Sequence, residues 1–324
     1  IVGGVMGAGI AAAGFSAVNW MTMSKIAASW VISPVLGGFI AALFLWLIKS
    51  RIIYQPDKIA AARKWVPILI AIMAGAFASY LALKGLKKVI KIDIQTAIII
   101  GTLIGIVTWA ITKPIIIKQS VGMENRNKSL KQLFNIPLIV SAALLSFAHG
   151  ANDVANAVGP LAAIVQASFS GEYVTAISIP LWVMIIGAAG ISFGLFLFGP
   201  KLIRVVGNQI TKLNQMRAYC VALSAAITVI VASWLGLPVS STHIAVGAVF
   251  GVGFFREWDT ARRMKFVKLS SDKNKLVVAK EERARRKLVR RSQFMSIIAA
   301  WIITVPSAAF ISGIIYSAIV FSMG

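Results

Sequence analysis

Ten acidic residues occur in this chain, and nine of them lie in links between apolar runs or at the edges of those runs. Asp153 alone stands inside one, within Gly150-Ala151-Asn152-Asp153-Val154-Ala155-Asn156. A carboxylate at the centre of a membrane helix costs roughly 2.5–3.5 kcal/mol by insertion scales, so it needs a partner or a bound cation. Asn152 and Asn156 are four residues apart and share a helix face, with Asp153 beside it. Amide and carboxylate oxygens suit a hard cation such as Na+, which makes Asn152 and Asp153 candidate cation ligands. Gly150 and Gly159-Pro160 bracket the group and predict a broken or re-entrant helix that exposes backbone groups to a ligand. The competing reading is interhelical hydrogen-bond glue, which suits a lone Asn better than an Asp between two.

The second constellation is Gly236-Leu237-Pro238-Val239-Ser240-Ser241-Thr242-His243, which interrupts a long hydrophobic stretch. Three consecutive hydroxyls opening a helix combine side-chain donors with free backbone N–H groups, the makings of an oxyanion site. An N-cap and kink would use the same residues. The chain has two histidines, His149 and His243, and both fall at these motifs as candidate proton relays.

The elements that must carry these groups are membrane helices. The 324 residues are 58% hydrophobic and 13% charged, about half the charge a soluble surface needs. Apolar segments run over 1–18, 26–48, 65–83, 94–117, 133–165, 173–198, 218–235, 243–255 and 294–322. Their length predicts an all-α polytopic protein with about eight or nine spans. Barrel strands would be near ten residues with alternating polarity, which is not the pattern here. The net charge of +23 would suggest nucleic acid on a soluble chain. Here the basic residues cluster between apolar runs, as the positive-inside bias demands, and a nucleic-acid partner is excluded. The longest basic link, about 256–293, is placed in the cytoplasm. Headgroup binding is a second reading of that link. The lone cysteine, Cys220, rules out an intrachain disulfide.

Two blocks repeat. Ile1-Val2-Gly3-Gly4-Val5-Met6-Gly7-Ala8-Gly9 resembles Ala245-Val246-Gly247-Ala248-Val249-Phe250-Gly251-Val252-Gly253. Ala28-Ser29-Trp30-Val31-Ile32-Ser33-Pro34 resembles Ala300-Trp301-Ile302-Ile303-Thr304-Val305-Pro306 with small shifts. Between the blocks one copy has an uncharged link, Gly14 to Ser24, and the other the basic link. That contrast predicts opposite sides of the membrane, the mark of an inverted-repeat secondary transporter. The expected organisation is one membrane transport domain over 1–324. Within it, 1–48 is the tail of an incomplete first repeat, 49–131 holds connecting spans, and 132–324 is the second repeat.

GANDVANAVGP at 150–160 and GLPVSSTH at 236–243 resemble the two signatures of the inorganic phosphate transporter (PiT) family, and KIAASWVISPVLGG at 25–38 looks like that family too. The resemblance implies inverted repeats that move phosphate with Na+ or H+, and no cofactor. It also implies that Asn152, Asp153 and Asn156 contribute to cation and phosphate binding, while Ser240, Ser241 and Thr242 help hold the phosphate. The family carries each signature twice and this chain once, so a further segment of about a hundred residues is expected before Ile1. Many members carry an acid in the helix before GLPVSSTH, where this chain has Ala222.

The expected function is therefore phosphate symport by alternating access, and not catalysis. A sulfate permease of the same fold is the nearest alternative. An intramembrane hydrolase needs Ser240 or Ser241, a histidine and Asp153 brought together, and a triad is recognised by geometry. A channel with Asp153 in its pore is a third class. The partners expected are phosphate and the lipid bilayer, with a homo-oligomer as a candidate assembly. Short links and the lack of targeting segments point to a bacterial or archaeal cytoplasmic membrane.

Overall fold

Long apolar runs with no water to satisfy their backbone groups must close those groups internally, and helices do so. The computed structural model describes residues 1–84, 93–170, 179–205, 213–235, 239–268 and 291–323, and its elements are helical throughout. In order they are α1 (Val2–Ala13), a short 3-10 turn (Phe15–Ala17), α2 (Trp20–Ile48), a π-turn (Lys49–Ile53) and α3 (Lys58–Lys84). Then come α4 (Ile94–Gln119), α5 (Asn127–Leu133), α6 (Asn135–Ser170), α7 (Leu181–Val205), α8 (Gln215–Trp234), α9 (Ser241–Lys268) and α10 (Arg291–Met323). Among the described residues seven helices are long and apolar enough to cross a membrane. The nine expected segments differ at two places. α1 has 12 residues, about 18 Å at 1.5 Å per residue, which is short of the ~30 Å hydrocarbon core. α9 carries its apolar half on into Arg256, Glu257 and Asp259, so part of the expected basic link is helix rather than loop. The densest basic stretch, Arg283 to Arg290, lies outside the described residues, as do Lys87, Lys88 and Lys91.

Local signals set several ends. Gly14 takes φ +76 to stop α1, a conformation other residues resist. Asp93 caps α4 by accepting a hydrogen bond from the Thr96 amide at 3.0 Å. The Thr96 side chain, and after it that amide, hold the exposed Asp93 carboxyl below the ordinary carboxylate range.

The chain forms two compact units. Unit 1 comprises Ile1–Ser29, Gly150–Val205 and Arg290–Gly324; unit 2 comprises Trp30–His149 and Val206–Val289. The division within α6 falls between His149 and Gly150.

Lipid offers no hydrophobic push between helices, so small residues that let backbones touch do the packing. In unit 1, a Cβ on Gly3 or Gly7 of α1 would strike the carbonyl oxygens of Val305 and Ala309 on α10. In unit 2, a Cβ on Gly247 or Gly251 of α9 would strike those of Pro34 and Gly38 on α2. The paired positions are four residues apart in every case. The two seams match in spacing: α1 seats on α10 in unit 1, and α9 seats on α2 in unit 2. Gly75 of α3 against Gly101 and Gly105 of α4 makes a third seam of the same kind, in unit 2.

α8 is the most enclosed span of unit 2. Its buried hydroxyls find backbone acceptors: Ser224 donates to the Gly37 carbonyl on α2, and Tyr219 donates to Leu69 O on α3 at 3.0 Å. Tyr219 also meets Phe134 edge-on at 5.7 Å. Each satisfied hydroxyl avoids the ~1–3 kcal/mol penalty of a buried orphan.

Candidate functional site

α6 runs unbroken for 36 residues through both Gly150 and Gly159-Pro160, so the predicted break at the first motif is not there. The glycines and Pro160 are accommodated within the helix, as membrane helices allow. Neither Gly150 nor Gly159 is pressed by a neighbour; a Cβ at either would meet open space. The helix instead separates two faces. Val154, Val158, Leu161, Ala162 and Val165 pack against Val183 and Met184 of α7. Gly187 of α7 lets the Val158 side chain close in. At 100° per residue this apolar stripe is centred nearly opposite Asn152, Asp153 and Asn156. The carboxylate and both amides therefore sit together on the face of α6 turned away from α7.

Asn152 Nδ2 donates to Asp153 Oδ1 at 3.2 Å. All three polar residues of the stripe are half-buried. Carboxamide and carboxylate oxygens are hard acceptors. That set is the right chemistry for a hard monovalent cation or a proton. His149 is half-buried at the last residue of unit 2 before the division, and Asn152 to Asn156 belong to unit 1.

At the second motif α8 ends at Trp234 and α9 starts at Ser241, and Gly236, Leu237 and Pro238 lie outside the described residues. Ser240 is the N-cap of α9, its oxygen accepting from the His243 amide at 3.3 Å. Val239 and Ile244 share a buried cluster with Ala148, Ala225 and Val229, a hydrophobic staple across the cap. Ser241 is buried and Thr242 exposed, so the three hydroxyls diverge around the start of a 28-residue helix. The cap uses a lone pair of Ser240 and leaves its O–H as a donor, so capping and oxyanion binding are compatible. Ala222 is buried apolar packing in α8.

Sequence reasoning missed Ser224 and Thr228, whose hydroxyls bond within and beyond α8. Their spacing of four residues was the available signal. It also missed that Asp259, read as a link residue, lies on α9 and pairs with Lys49 Nζ at 2.7 Å.

Seven membrane-crossing helices among the described residues, with a carboxylate–amide face on α6 and a capped, hydroxyl-rich start on α9, suit a membrane transport protein. Residues 1–312 match the Phosphate transporter family. Relatives described as putative phosphate permeases include one from Helicobacter pylori (strain J99), 44% identical over 99% of this chain and 70% of its own length. Another, from Pyrococcus furiosus, is 32% identical over all of this chain and 71% of its own. A solved structure, "The sodium-dependent phosphate transporter", is 31% identical, with a TM-score of 0.79 over 98% of this chain and 72% of that one. The chain belongs to the phosphate transporter family and is a multi-pass transporter, not an enzyme.

Proposed function

We propose that the protein carries inorganic phosphate across the cytoplasmic membrane together with Na+ or H+, by alternating access. The polar face of α6 carries this reading: a carboxylate and two amides gathered on one side of an otherwise apolar helix, opposite its packing face. Asp153 and Asn152 take the coupling cation, whose charge offsets the cost of the carboxylate and of the anion carried with it. Asn156, Ser240, Ser241 and Thr242 donate hydrogen bonds to the phosphate oxygens. For Ser240 to Thr242 the start of α9 adds its free N–H groups and the positive end of its dipole. His149 and His243 serve as proton relays if the coupling ion is H+. The two homologous blocks are copies of opposite orientation within one transport domain, 132–324 forming the second, and their exchange supplies the two access states. A sodium-dependent relative of similar fold supports Na+ over H+.

Labelled phosphate uptake into proteoliposomes under Na+ or pH gradients tests this, beside Asp153→Asn. Wild type takes up phosphate under one gradient, and the variant loses at least about tenfold of that coupled uptake, the effect of ~1.4 kcal/mol or more at the cation site. Uptake of sulfate indifferent to excess phosphate would overturn phosphate as the substrate. Gradient-driven uptake unchanged in Asp153→Asn would remove Asp153 from the coupling step.

A further inference from the structure

Several serines of these helices return their hydroxyl proton to a carbonyl three or four residues back. Ser24 donates to Met21 and Ser29 to Ile26 on α2, and Ser141 donates to Leu138 and Ser146 to Ala142 on α6. Ser33, one turn beyond Ser29, departs from this pattern. It is 4% exposed, and its hydroxyl has no hydrogen-bond partner among the described residues. A buried hydroxyl left in this way is costly, so where it points matters.

Ser33 shares a face of α2 with Gly37, four residues on. That face is turned to α8 and α9. Ser224 of α8 donates to the Gly37 carbonyl, and a Cβ on Gly37 would lie 3.0 Å from the Ile244 carbonyl oxygen of α9. α9 runs in the same sense as α2, because Pro34 meets Gly247 and Gly38 meets Gly251. One turn back from Gly37 and from Ile244 therefore sets Ser33 level with Ser240 and Ser241, at the start of α9. α8 runs the opposite way, with Ala232 near its end packed in the cluster of Val239 and Ile244. One turn on from Ser224 is Thr228, buried at the same level, its proton given to the Ser224 carbonyl at 2.8 Å. All these residues belong to unit 2.

The groups gathered at this level are committed unequally. A helix start supplies donors and the positive end of a dipole, which suits an oxyanion. Ser240 Oγ accepts from the His243 amide at 3.3 Å. Ser224 and Thr228 have given their protons to carbonyls. Phosphate at neutral pH keeps a proton and sulfate has none, so a site that holds phosphate fully must offer an acceptor beside its donors. A serine oxygen accepts without a charge that would repel the anion. We propose that Ser33 is a specificity-determining residue of the anion site, its oxygen accepting the P–O–H proton while the donors of α9 take the bare oxygens. This rests on the phosphate reading above and adds to it the choice between phosphate and sulfate.

Gradient-driven phosphate uptake into proteoliposomes tests this for wild type, Ser33→Ala and Ser33→Cys, with arsenate and sulfate as competitors. Arsenate carries a proton as phosphate does. Cysteine fills the space of serine but accepts weakly, so its result stands even where Ser33→Ala is unstable. Each variant should raise the KM for phosphate about tenfold, the scale of one hydrogen bond to a charged group, with the maximal rate little changed. Inhibition by arsenate should weaken in parallel while inhibition by sulfate holds, so the preference for phosphate over sulfate falls about tenfold. A merely structural part for Ser33 would move all three anions together, and that result overturns the proposal. So does an unchanged phosphate KM in folded Ser33→Cys. Absence of phosphate uptake by folded wild type under any gradient overturns the phosphate reading itself and this proposal with it, which tells the two failures apart.

Discussion

Ser240 illustrates how one side chain serves two ends, and how they are separated. Its oxygen caps α9 through the His243 amide, and the proposed function gives its hydroxyl proton to a phosphate oxygen. Ser240→Ala removes both and should cost about 0.5–2 kcal/mol of stability through the cap alone. Ser240→Asp keeps a capping acceptor but sets a negative charge where the anion would lie. Melting temperature and phosphate uptake measured together separate the roles. Asp should keep near wild-type melting and lose uptake, whereas Ala loses some of both. Melting that falls equally in the two variants would deny the cap its part. At this scale Asp153 was legible because a lone carboxylate in an apolar run has few explanations. Lys49–Asp259 was not, since 210 residues separate the partners and nothing local announces the pairing.

The helices were legible from the lengths of their apolar runs, but the end of α1 at Gly14 was not, because the apolar run continues to residue 18. The continuity of α6 was not, because Gly150, Gly159 and Pro160 break soluble helices yet are tolerated where neighbouring groups satisfy the backbone. Glycines of one composition thus have two unlike roles. Gly251→Ala drives a Cβ into the backbone of Gly38, with no flexible side chain to yield, and should destabilise by about 1–3 kcal/mol. Gly159→Ala meets open space and should be neutral or stabilising by up to about 1 kcal/mol. Thermal unfolding of the two variants in the same detergent decides this. A Gly251→Ala protein as stable as wild type would show that the α2–α9 seam opens readily.

The two blocks that resemble each other in the sequence lie on helices with glycine seams of equal spacing, while the opposed orientation proposed for them is a matter for chemistry at their links. Cys220 is buried and gives little background, so single cysteines can report sidedness. A cysteine at Ser16, in the uncharged link, should react with an impermeant maleimide from outside the cell. One at Asn125, in the link between α4 and α5, should react only after the membrane is opened. Reaction of both from the same side would contradict the opposed orientation of the repeats. The seams also set a timetable. Gly3 and Gly7 pair with Val305 and Ala309, near the other end of the chain. At the ~5–20 residues per second of synthesis, roughly 15–60 s pass between the emergence of α1 and that of its partner. Through that interval the glycine face of α1 rests against lipid or a helper protein, whereas α3 and α4 close their seam as soon as both are made. The α1–α10 seam of unit 1 is therefore late to assemble, and a ribosome that stalls before α10 leaves α1 without the helix its glycines fit.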